Sequence, residues 1–141
     1  MAKWHVFSEE GDVSFIADQD LTAKQYTWVG PASAFDKVAS CNGASAPAPF
    51  GILQNSPSLG QEARVRMMGF SKVLCNSGTC NGQWGRYVFC ASDGRTEAIA
   101  LGGSPAMGRY TGAASGLGSS FFGEIFIFGG GMSVCGAVTA S

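Results

Sequence analysis

Charge is what this sequence is shortest of. Asp, Glu, Lys and Arg make up 13% of its 141 residues, against about 25% in an average globular protein. Nine basic and ten acidic side chains leave a net charge of −1. That balance offers no electrostatic footprint for nucleic acid or for an anionic membrane surface. Histidine occurs once, as His5. A general base must sit beside the proton it takes, and no nucleophile near His5 in the sequence needs one, so a solvated histidine is the simpler reading. No stretch approaches the roughly 18 apolar residues of a membrane helix. Met1–Glu10 lacks the apolar run of a secretory leader. The expectation is therefore a chain made and folded in a cytoplasm, with its five cysteines mostly reduced. Helical periodicity is missing too: Asp20–Tyr26 is the best case, and it gives one turn at most.

What is present argues for a packed core. Hydrophobic residues reach 45%, with ten Phe, which excludes a disordered chain. The 21 glycines follow no fixed period, which excludes collagen. The length suits one domain able to bury a core without metals or cross-links. Few charges beside many aromatics imply a surface covered by other subunits. A neutral surface of Ser, Thr, Gly and Ala is the plainer alternative.

The punctuation is that of an all-β protein, in which short apolar runs are separated by Gly, Pro, Asn, Asp and Ser. Strands are expected at Val13–Ala17, Gln25–Gly30, Lys37–Cys41, Phe50–Gln54, Ala63–Gly69, Ser71–Cys75, Arg86–Cys90, Thr96–Leu101, Met107–Thr111 and Phe122–Phe128. Ala63, Val65 and Met67 alternate with Glu62, Arg64 and Arg66, the mark of a half-buried strand with one charged face. Asp93-Gly94 predicts a tight hairpin turn with positive φ at both central residues. In the last strand Phe122, Phe126 and Phe128 share a face with Glu124, and Ile125 and Ile127 fill the other. Both faces are expected to be covered, which makes Phe122, Ile125, Phe126 and Phe128 the candidate core or subunit contacts. Asn42–Pro49, Asn76–Gln83 and Gly112–Ser120 read as loops. Residues 1–12, polar and ahead of the first clear strand, read as an N-terminal arm. The remainder, 13–141, reads as a single compact β-barrel or β-sandwich of short antiparallel strands.

No constellation for chemistry emerges. Cys75 and Cys80 have the spacing of a half zinc site, but Cys41, Cys90 and Cys135 are scattered and His5 is remote. A Cys75–Cys80 bridge is a stronger reading than zinc, and buried free thiols are the default. The carboxylates are spread out, with no facing pair of the kind a glycosidase needs. Asp18-Gln19-Asp20 starts like a calcium loop, yet the glycine and the later Glu of that pattern are missing. Gly112–Gly118 and Gly129–Gly131 match no phosphate-binding motif and read as flexible turns. Trp4, Trp28 and Trp84 are too dispersed for a base-stacking platform without a basic groove. No catalytic, metal or cofactor site is expected.

Four segments taken in order resemble the small capsid cement, or head decoration, proteins of tailed phages. They are Asp20-Leu21-Thr22-Ala23-Lys24-Gln25-Tyr26; Gly51-Ile52-Leu53-Gln54-Asn55 with Pro57 and Gly60; Glu62-Ala63 with Val65, followed by Gly69-Phe70-Ser71-Lys72-Val73 as the next hairpin; and Ser92-Asp93-Gly94-Arg95. They span residues 20–95. Cys75–Gln83 and the tail Gly129–Ser141 depart from the pattern. The resemblance implies a homotrimer bound to the major capsid protein on the outside of a virion, at or near threefold positions, stabilising the shell. It implies neither enzyme activity nor a nucleic-acid or membrane partner. A different virion-surface module, binding a receptor or glycan, is the alternative.

Overall fold

The computed structural model describes residues 11–41, 48–76, 85–98, 105–111 and 120–133. All regular structure among them is β. The strands are β1 (Asp12–Ala17), β2 (Trp28–Pro31), β3 (Lys37–Ser40), β4 (Gly51–Leu53), β5 (Glu62–Arg66), β6 (Gly69–Asn76), β7 (Tyr87–Cys90), β8 (Thr96–Ala98), β9 (Pro105–Tyr110) and β10 (Ser120–Ser133). Each expected strand overlaps one of these, because short β-branched and aromatic runs between turn residues have no competing helical pattern. Residues 1–10 of the expected arm, most of the three expected loops, and Trp4, His5, Cys80, Trp84 and Cys135 lie outside the described residues.

The strands close into two five-stranded barrels, β1-β3-β2-β4-β5 and β10-β6-β8-β7-β9. Closure removes the unpaired edges that an open sheet would leave for aggregation. Most pairings are antiparallel, but β1–β3 and β6–β8 are parallel, so the expectation of antiparallel strands holds only in the main.

The barrels share a wall, and that wall explains why β2 and β4 are buried on both faces. Trp28 pairs with Ile52, and both side chains enter the second barrel's core with Val73, Cys75, Val88, Met107, Tyr110, Ile125 and Ile127. The next residues along, Val29 and Leu53, point the other way into the first core with Ala17, Leu21, Val38, Ala63 and Val65. Side chains alternate across a strand, so two strands serve two cores. Backbone bonds secure the junction: Trp28 N donates to Gly94 O at 2.8 Å and Leu74 N to Tyr26 O at 2.9 Å.

Three local expectations are corrected. Glu62–Val73 is not a hairpin: β5 lies in the first barrel and β6 in the second, and Met67-Met68 connects them beside Gly11, whose carbonyl accepts from Met67 N. The Asp93-Gly94 turn does join β7 to β8, but only Gly94 has positive φ, at 86°. Gly94 N donates to Ala91 O and Ala91 N to Arg95 O, which is a type I turn closed by a glycine bulge, a loop one residue longer than expected. Finally, Gly129–Gly131 is no turn. It continues β10 across a register shift between Ile127 and Met132, where glycine tolerates the irregular backbone.

Candidate functional site: the aromatic face of the second barrel

The site begins with the antiparallel pairing of β6 and β10, which runs from Ser120↔Asn76 to Ile127↔Gly69. Alternation sends Ser71, Val73, Cys75, Ile125 and Ile127 inward, where all five are buried. Phe70, Lys72 and Leu74 then point outward beside Phe126, Glu124 and Phe122, their cross-strand partners. Gly123 makes the inner side fit: a Cβ there would lie 2.7 Å from the Tyr110 hydroxyl oxygen, so only glycine lets that ring lie against β10.

The outer side is ordered row by row. One row crosses four strands, because Phe70 pairs with Phe126, Phe126 with Arg109, and Arg109 with Tyr87. Phe70 and Phe126 meet edge-to-face, with centroids 5.1 Å apart at 74°, a geometry worth about 0.5–1.5 kcal/mol beyond area burial. The Arg109 guanidinium lies 5.2 Å from the Tyr87 ring, and its Nε donates to Gly85 O at 3.0 Å. In the next row Glu124 lies opposite Lys72 and accepts from the Thr111 hydroxyl at 3.1 Å. Lys72 in turn sits 4.2 Å over the Phe122 ring and 5.1 Å over Tyr26. Tyr26 and Phe122 are themselves edge-to-face, 5.9 Å apart.

This face sets exposed aromatic rings among the exposed charges of Lys72, Arg109 and Glu124. Phe70 is 56% exposed and Phe126 39%. Their rings are already held by each other, so a partner covering them loses little side-chain entropy. The sequence-derived contact set divides accordingly: Ile125 is core, Phe122 is half-buried, Phe126 is exposed within the chain, and the Phe128 side chain lies outside the described residues. The expectation that this strand is covered on both faces is met on the Ile125 side within one chain. The other side is left exposed at Phe70 and Phe126. Phe70, Tyr87 and Arg109 were missed because their membership depends on pairing between strands distant in sequence.

A second apolar feature caps the first barrel. Phe35, in the β2–β3 loop, is 74% exposed and Leu59, in the β4–β5 loop, 68%. Both loops flank the end of β1, where Ile16 N donates to Asp36 O, Ala17 N to Gln61 O, and Gly60 N to Ala17 O. A groove at this end is lined by Ser14, Phe15, Ile16, Asp36 and Glu62.

The remaining candidate groups have structural partners. Asp18 lies 3.7 Å from Lys37 Nζ, and the Gln19 side chain accepts from Ser40 N at 2.9 Å. The Thr22 hydroxyl and amide both donate to Asp20 and hold its carboxyl below the usual range. This trio is thus a turn-forming device. Among the described residues, no three His, Cys, Asp or Glu side chains group as a metal would need. Cys41, Cys75 and Cys90 are buried thiols. The Gly51–Asn55 segment also has a structural cause: Asn55 donates to Glu62 O at 2.9 Å and accepts from Arg64 N at 3.0 Å, extending the β4–β5 ladder by side chain. Gln54 is buried on Ser71 Oγ at 2.9 Å, a further tie between the barrels.

The fold defines an all-β protein of two fused small barrels. It is similar to the crystal structure of the N base of head fiber gp8.5 in bacteriophage phi29, with a TM-score of 0.60, 11% identity, and coverage of 87% of this chain and 98% of that one. No family model and no curated protein matches the sequence.

Proposed function

We propose that this chain is a structural protein of a tailed-phage virion, seated on the outer surface of the head. The observation that supports this most is the double-barrel fold, which extends over nearly all of a phage head-fiber base. The order of the four segments between residues 20 and 95 supports it independently, since those motifs resemble head decoration proteins. In this reading the chain assembles as a homotrimer at or near threefold positions, binds the major capsid protein and reinforces the shell. A trimer matches the symmetry of the lattice point it covers, so three weak contacts act together. Selective binding to the mature shell would stabilise that shell by mass action. The Phe70–Phe126 face is the surface best suited to contact a neighbour, and the charge-poor surface is what a covered protein needs. No catalysis is required of it.

The test is reconstitution. Expanded heads lacking the protein are incubated with purified chain, sedimented and heated. Co-sedimentation at a saturating ratio, with a raised rupture temperature, is expected. Failure to bind heads at any maturation stage would overturn the proposal. Binding without added resistance would remove the cement role and leave a display role.

A further inference from the structure

Two buried sulfurs sit where the barrels meet. Cys41 follows β3 in the first barrel and Cys90 ends β7 in the second, and both belong to the second barrel's core. Trp28 brings them together. Its carbonyl accepts from Cys41 N, and its own N donates to Gly94 O in the turn that follows Cys90. Its indole Nε1 reaches Thr96 Oγ1 at 3.0 Å, and Thr96 is the cross-strand partner of Cys90. A Cβ on Gly94 would come within 3.3 Å of Cys41 O and 3.6 Å of Ser40 Oγ, so the end of β3 packs directly on the β7–β8 turn. The Cys41 and Cys90 side chains lie buried in the same cluster, and Cys90 Sγ donates to Ala91 O at 3.2 Å.

We propose that Cys41 and Cys90 are a disulfide-forming pair that covalently locks the two barrels together when the protein meets an oxidising environment. A low-molecular-weight disulfide, such as oxidised glutathione, is the oxidant. One protein thiolate attacks it, releasing one thiol and leaving a mixed disulfide. The second protein thiolate displaces the other half as thiol and forms the S–S bond. The protein loses two electrons and two protons, and the small disulfide is reduced to two thiols. The neighbouring Cys90 thiol and burial push the Cys41 thiol up, so little thiolate is present at neutral pH and the bond forms slowly. A chain folded in a reducing cytoplasm would keep both thiols, then close the lock after release.

Cys75 is the competitor, because Thr96 pairs with Cys75 on one side and with Cys90 on the other. Trypsin separates the possibilities. Cys41 falls in the fragment 38–64, Cys90 in 87–95, Cys75 with Cys80 in 73–86, and Cys135 in 110–141.

The experiment incubates the native full chain with oxidised glutathione at mildly alkaline pH, then measures intact mass, fragment linkage and melting temperature. The expected result is a mass lower by about 2 Da, for the two hydrogens lost, with fragment 38–64 joined to 87–95. The melting temperature should rise by about 5–10 °C, as expected for a disulfide closing a long loop in a small domain, and fall back on reduction. Cys75→Ser should keep the link; Cys41→Ser and Cys90→Ser should each abolish it. A link from Cys90 to the Cys75 fragment, stable glutathione adducts alone, or both thiols unmodified after incubation in sub-denaturing urea would each overturn the proposal. None of these outcomes depends on capsid binding.

Discussion

The indole nitrogen of Trp28 donates to the hydroxyl of Thr96 at 3.0 Å, and both side chains are buried. One residue belongs to the first barrel and the other to the second, so this bond crosses the junction. Replacing Thr96 by Val keeps the volume but leaves the indole N–H without this acceptor. Urea unfolding should show a loss of about 1–3 kcal/mol. Thr96→Val combined with Trp28→Phe should lose less than the two single changes added together, because both partners of one bond have been removed. Strict additivity would mean the bond does not couple the barrels.

The two faces of β10 should respond differently to truncation. Ile125 is fully buried beside Val73 and Tyr110, so Ile125→Ala should cost about 2–5 kcal/mol. Phe126 keeps 39% of its surface exposed, so Phe126→Ala should cost less than the roughly 1.5–3 kcal/mol of a fully buried ring. Thermal melts of the two variants check the order. A larger loss for Phe126 would place that ring in a core the single chain does not have.

The charged side of β5 separates by partner rather than by alternation alone. Val65→Asp buries a charge among Leu53, Val38 and Ala63 and should leave the chain unfolded. Arg66 grips the buried Asp12 with bonds of 2.6 and 3.2 Å, whereas Arg64 reaches Asp12 at 3.4 Å and is half exposed. Arg66→Ala should therefore cost about 3 kcal/mol or more, as for a buried pair losing one partner, and Arg64→Ala less than 1 kcal/mol, as at an exposed site. Equal losses would mean that Arg64 carries as much of the pair as Arg66.

Much of this architecture was legible in the sequence, for identifiable reasons. β5 showed its register because Ala63 and Val65 alternate with charge, and the Ile125/Ile127 side of β10 stood out against Glu124. What stayed hidden depends on contacts far apart in the chain. Trp28 and Val29 are both apolar, and no local pattern says that they serve different cores. Two barrels could not be told from one, because closure is set by β1 meeting β5 and β10 meeting β9. The parallel β1–β3 pair was equally invisible. Gly129–Gly131 misled because glycine marks a turn and a tolerated bulge in the same way. The candidate face was half visible: Phe122 and Phe126 came from the strand pattern, while Phe70, Arg109 and Tyr87 join them only through pairing.

The proposed role on the head also predicts an assembly state. Light scattering at micromolar concentration should give three times the 14.6 kDa chain mass. The variant carrying both Phe70→Ser and Phe126→Ser should stay folded by far-ultraviolet circular dichroism, yet weigh as one chain or fail to bind heads. A double variant that keeps the native mass and binds heads normally would show that this face is not the contact.

The most direct measurement of the central claim is an image reconstruction of the intact phage particle at a resolution that traces strands. The account predicts paired five-stranded barrels on the outside of the head, clustered in threes at or near threefold positions, with the Phe70–Phe126 face covered by a neighbouring subunit or the shell. Particles that carry the chain inside the head, on the tail, or nowhere would contradict it.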